Sequence, residues 1–270
     1  MFIIAQKLQL RTSNRHYHKM RGFCILIFFL FPLWSLGKNS ADSLFIKGNK
    51  AYAAGQYDQA IGCYQSIMHS GYESAALYFN LGNSYYKKGD IPSALLFLEK
   101  AHKLKPGDED IRSNIRFVNT KTTDKIESEP EFFLNQWWRS IYLYFSLNSL
   151  AILTTVLALS GFILLINFIF SGSIRVRRYS FYIALVFIAA GLLTFFIAVQ
   201  QELYLNARKH AIIFHNPVMV KSEPADKSKD LFIIHSGAKV NILDFQHNWM
   251  KIALPNGQVG WILAEYAKQI

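Results

Sequence analysis

Residue types that commonly carry chemistry are sparse in this chain of 270 residues. Four histidines, His210, His215, His235 and His247, crowd the C-terminal segment, and imidazoles gathered at one point would hold a metal. They alternate with apolar residues in separate short runs, which reads instead as scattered surface histidines. Of the two cysteines, Cys24 lies in an apolar leader and Cys63 then stands alone, with no disulfide partner and no histidine motif beside it. It reads as a buried, inert thiol. The chain has no His-Glu-x-x-His, Cys-x-x-Cys or Gly-x-Ser-x-Gly and no phosphate-cradling glycine loop. No catalytic residue, metal or cofactor is expected, and the chain does not read as an enzyme. What it offers is surface for recognition.

That surface begins with a repeat. KGNKAYAAGQYDQAIGCY and LGNSYYKKGDIPSALLFL align at a spacing of 34 residues, pairing Gly48 with Gly82, Asn49 with Asn83, Tyr52 with Tyr86, Gly55 with Gly89 and Ala60 with Ala94. Gly48, Gly82, Ala60 and Ala94 are small where a neighbouring helix must approach, and Gly55 and Gly89 suit the positive φ that ends a helix. Tyr78, Leu81 and Tyr85 share one helical face, and Ala94, Leu98 and Ala101 face back from the next helix. With Gly82 and Pro106, these residues make the second copy resemble the tetratricopeptide repeat. The first copy is more degenerate, with Lys47, Ala51 and no closing proline. Two repeats bury a core poorly, and Ile111, Ile115 and Val118 at helical spacing predict a capping helix behind them. The resemblance implies a groove lined by the first helix of each pair, here Phe45, Asn49 and Tyr52, then Phe79, Asn83, Tyr86 and Lys87. Such a groove takes a peptide or partner helix. Phe45 stands where a carboxylate clamp would need lysine.

Hydrophobic residues make up 51% of the chain and concentrate in three blocks. Phe23–Leu36 follows Lys19 and Arg21 and ends in the small residues Ser35 and Gly37, the pattern of a secretory signal peptide; an uncleaved anchor is the rival reading. Met20 is an alternative start. The stretches 140–174 and 179–201 contain no charged residue and are long enough to cross a bilayer, which needs about 20 residues. Arg175, Arg177 and Arg178 between them predict a cytoplasmic loop, so both flanks would face outward. Removing the leader with its five basic residues leaves +6 of the +11 net charge, dispersed, which argues against a nucleic-acid partner.

Trp137 and Trp138 after a polar linker suit the membrane interface. From Ala211 the pattern turns to short β-rich runs (AIIF, VMV, DLFIIH, KVNILDF, WMKIAL, QVGWIL) separated by turn residues. HNWMKIALPNGQVGWI resembles the bacterial SH3-like domain, and five or six strands suggest a small barrel with Trp249 and Trp261 in its core, or alternatively on a ligand-binding surface.

The expected fold is a multidomain membrane protein: N-terminal extension and signal peptide (1–37), all-α tetratricopeptide helical repeat with capping helix (38–119), linker and interfacial segment (120–141), a two-helix transmembrane hairpin (142–170 and 180–201) around a basic loop (171–179), and a small all-β SH3-like barrel (202–270). This order of parts, with the segment TKTTDKIESEPEFFLNQWW, resembles the BatE proteins of the Bacteroides aerotolerance operon. The resemblance implies a Bacteroidetes inner-membrane protein with periplasmic domains, working beside von Willebrand A-type membrane proteins and a MoxR-type ATPase. The expected function is a membrane-anchored adaptor binding such proteins; the alternative is a tether or sensor that binds peptidoglycan through the SH3-like domain.

Overall fold

The computed structural model describes residues 39–125, 133–207 and 209–270; the leader and residues 126–132 of the linker lie outside them. Helices α1 (Asn39–Ala53), α2 (Tyr57–His69), α3 (Ala75–Lys88) and α4 (Ile91–Leu104) form two helix–turn–helix pairs, and α5 (Glu109–Asn119) follows. Gly55 and Gly89 turn the chain at φ +75° and +89°, a region that disfavours any side chain. Ser74, Asp90 and Asp108 cap the next helices by accepting backbone N–H groups of Leu77, Ser93, and both Asp110 and Ile111. Gly48 and Gly82 sit at the closest approaches. A Cβ on Gly48 would lie 2.6 Å from the Tyr64 ring, and one on Gly82 2.8 Å from Leu98 Cγ. Tyr64, Leu77, Leu81, Leu95 and Leu98 fill the core between the pairs, each burial stabilising by roughly 1.5–3 kcal/mol. Helix α5 lays Ile111, Ile115 and Val118 on it, as a cap should.

Seven antiparallel strands form the C-terminal domain: β1 (His210–Ile213), β2 (Val218–Lys221), β3 (Asp230–Ile234), β4 (Lys239–Gln246), β5 (Trp249–Ala253), β6 (Val259–Leu263) and β7 (Ala267–Gln269). Their order is β3-β2-β6-β5-β4-β1-β7, so the sheet is open. This corrects the expected SH3-like barrel of five or six strands, because β3 and β7 end the sheet without pairing to each other. Irregularities at Val220/Lys221 and Ile242/Asp244 bend it around a core that includes Val218, Val220, Val240, Met250, Ile252 and Ile262. The helical domain occupies the places closure would use. Asp124 accepts the backbone N–H of His235 just past β3, and Lys103 Nζ donates to the terminal oxygen of Ile270 just past β7.

The two domains are packed together through α4. Ala211 and Ile213 of β1 point into the sheet's own core while Ile212, between them, is buried in the helical core with Phe214 and Ile270 against it. Both faces of β1 are therefore covered, and its sequence is apolar from Ala211 to Ile213. Around this contact, Lys239 Nζ lies 2.7 Å from Glu99 Oε2, and His235 Nδ1 2.7 Å from Asp124 Oδ1.

Helix α6 (Phe133–Leu143) leads into α7 (Leu147–Phe170) and α8 (Ile174–Ala207), two helices long and apolar enough to cross a membrane, with mean hydropathies of 2.4 and 2.6 over their most apolar stretches. Only residues 171–173 separate α7 from α8, so Arg175, Arg177 and Arg178 stand in the first turns of α8 rather than in a longer loop. The pair is clamped by polar contacts, Thr154 to Thr194 at 2.8 Å and Asn167 Nδ2 donating to Ser180 Oγ at 3.1 Å. Gly161 lets α8 approach, since a Cβ there would lie 3.0 Å from Ile188 Cγ1.

Candidate partner-binding site

The repeat places Phe45, Asn49 and Tyr52 on α1 and Phe79, Asn83, Tyr86 and Lys87 on α3. These helices are joined side by side by a hydrogen bond from Asn80 Nδ2 to Asn49 Oδ1 at 2.9 Å, and the same oxygen accepts the Tyr64 hydroxyl at 2.7 Å. Burial pushes the Tyr64 phenol up to about 12, so it remains a donor at any working pH. Asn49 is thus committed to joining α1, α2 and α3. Phe45 leans on Tyr64, centroids 5.9 Å apart, and Tyr52 meets Tyr57 edge-on at 5.6 Å. At the far end Tyr86 meets Phe117 of α5 edge-on at 5.4 Å, and Lys121 lies over the Phe117 ring. Phe79 is half-buried against the core, Asn83 is half-buried, and Lys87 is exposed.

Asn80 and Phe117 belong to this surface and were not expected from the repeat alignment. Asn80 has no counterpart amide in the first repeat, where Ile46 occupies the equivalent place. Phe117 sits beside the buried Val118, so its outward aim follows from helix phase alone. The SH3-type domain packs on α4 and not on the α1–α3 face.

Trp249 and Trp261 lie elsewhere and are not in the sheet core. They alternate with buried Met250, Ile252 and Ile262, which puts them on the outer face, partly exposed. In register, Asp244, Lys251, Trp261, Lys221 and Asp230 form one row across five strands. Lys251 Nζ stands 5.8 Å from the Trp261 ring centre, and Lys221 pairs with Asp230 at 2.7 Å. This face carries two indoles and a balanced set of charges. The four histidines are spread over β1, the β1–β2 turn and the ends of β3 and β4, and no group of three potential metal ligands occurs among the described residues. Cys63 is a buried free thiol.

Residues 47–109 match the tetratricopeptide repeat family, and residues 218–268 match the bacterial SH3 domain family. The chain carries a repeat domain and a bacterial SH3 domain. Both are modules that bind other molecules rather than transform them. A crystal structure of PcrH in complex with the chaperone binding region of PopB is similar at 13% identity, over 63% of this chain and 98% of that one, with a TM-score of 0.31. No curated protein matches the chain.

Proposed function

We propose that the protein is a membrane-anchored scaffold whose repeat groove holds a partner protein, with α7 and α8 spanning a bacterial inner membrane and both domains in the periplasm. The observation that supports it most is the division of the repeat surface. The SH3 domain uses α4, so the α1–α3 face with Phe79, Asn83, Tyr86 and Lys87 is left for another molecule. The arginines opening α8 support a cytoplasmic α7–α8 turn, with both flanks outside, by the excess of basic residues on the inner side of spans. The resemblance to BatE proteins directs the search for partners to von Willebrand A-type membrane proteins of an aerotolerance complex. Crosslinking in native membranes followed by mass spectrometry tests this. Capture of such proteins through residues 39–119, weakened by Asn83→Ala with Lys87→Glu at unchanged membrane insertion, is the expected result; unchanged capture by that variant would refute the groove.

A tether to peptidoglycan is the second reading, and the outward placement of Trp249 and Trp261 favours it over a purely structural SH3 domain. Co-sedimentation of the detergent-solubilised chain with peptidoglycan, lost in Trp261→Ala, would support the tether, whereas no sedimentation at low salt would exclude it.

A further inference from the structure

The three parts of the molecule meet around a cavity of about 650 Å³, within the usual range for a small-ligand site. Helix α4 contributes Glu99, His102 and Lys103, α5 contributes Arg112, and the sheet contributes His210 and Lys239. The remaining wall comes from the end of α6 (Leu143), the α6–α7 turn (Tyr144) and the C-terminal part of α8 (Tyr204 and Leu205). Three permanent cations thus stand in the lining with two carboxylates, Glu99 and the terminal one at Ile270. Glu99 is engaged by Lys239 at 2.7 Å, Arg112 reaches Glu109, and Lys103 donates to the Ile270 terminal oxygen at 3.2 Å. His102 Nδ1 is buried with no hydrogen-bond partner, which is costly unless something else supplies one. Burial, with Lys239 and Arg112 nearby, holds this imidazole below its ordinary range, and a bound anion would reverse that balance.

We propose that this cavity binds a phosphate ester, with Lys103, Arg112 and His102 as its donors. Lysine and arginine suit phosphate oxygens by charge and by donor number. The position at the mouths of α7 and α8 allows either of two sources, a phospholipid headgroup whose glycerol and chains run along Leu143 and Leu205, or a soluble phosphate. The site uses α4 and the Arg112 end of α5, not the α1–α3 face, and stands independently of the scaffold reading.

Isothermal titration of the detergent-solubilised full chain tests it with two probes, inorganic phosphate and dihexanoyl phosphatidylglycerol. Saturable one-to-one binding of either is expected, and Lys103→Gln with Arg112→Gln should weaken it about a hundredfold, the loss of two charged hydrogen bonds. Lys103 and Arg112 are exposed enough for the variant to fold, which size-exclusion elution verifies. Binding of the lipid alone assigns a headgroup site, and binding of phosphate with equal affinity assigns a soluble ligand. Absence of saturable binding by both, or binding unchanged in the cavity variant but lost in Arg175→Gln with Arg177→Gln, would overturn the proposal.

Discussion

Single residues in the repeat serve two demands, and their substitution should separate them. Asn49 belongs to the proposed groove yet accepts from both Tyr64 and Asn80, so Asn49→Ala should destabilise by about 1–3 kcal/mol through the buried hydroxyl it orphans. Chemical denaturation checks this, and a neutral effect would return Asn49 to pure recognition. Gly82 is constrained differently. Gly82→Ala forces a methyl against Leu98 and the Ala94 carbonyl and should cost about 1–3 kcal/mol despite alanine's better helix propensity. His102 gives the molecule a pH signature. Its folded pKa is depressed, chiefly by burial, so the unfolded chain takes up the proton first as pH falls. Its contribution is fully present above the ordinary imidazole value of 6.5 and is lost as pH falls through the depressed folded value. His102→Gln should flatten the stability profile between the two, measured by thermal unfolding from pH 7.5 to 5.

At the scale of elements, the boundaries depend on caps and turns more than on apolar content. Helix α5 is held by Asp108, whose carboxylate is kept below its usual range first by Lys105 and also by the N–H groups of Asp110 and Ile111. The depressed value means this contribution is present above the ordinary carboxylate range and lost on acidification through the folded pKa. Asp108→Ala should cost about 1 kcal/mol and fray α5, while Asp108→Asn should retain most of the cap. Hydrogen exchange at Ile111 and Arg112 distinguishes the two outcomes. Because Phe117 of α5 meets Tyr86, fraying should also loosen the end of the groove.

At the scale of the whole molecule, the interface on α4 decides the architecture. Glu99 is only 8% exposed at its side chain and its partner Lys239 comes from the other domain. Lys239→Ala would leave a buried carboxylate unpaired and should destabilise by about 3–5 kcal/mol, whereas Glu99→Gln with Lys239→Met should recover much of that loss. A double-mutant cycle by denaturation measures the difference. Gly107 makes the second joint. Any Cβ there would strike the carbonyl of Tyr144, so Gly107→Ala should prise the repeat domain from the start of α7 and increase protease cutting around residues 105–108 without unfolding either domain.

The amino-acid sequence determined the repeat almost completely, because close helix packing leaves a local record. Gly48, Gly82, Gly55 and Gly89 each stand where contact or backbone φ admits little else, and that requirement recurs at a fixed spacing. It also determined the two long apolar helices, whose length and composition are local properties. Strand existence was legible in the same way from short β-rich runs between turns. Sheet closure was not, since it depends on whether two distant edges find each other or find the helical domain, at Asp124 and Lys103. The tryptophans show the same limit: alternation says that Trp249 and Met250 lie on opposite faces, but only the bent sheet says which face is inside. Ile212 is the clearest case. Its burial in another domain's core is a contact between segments more than a hundred residues apart, set by shape and charge complementarity around α4, and no local pattern in AIIF encodes it.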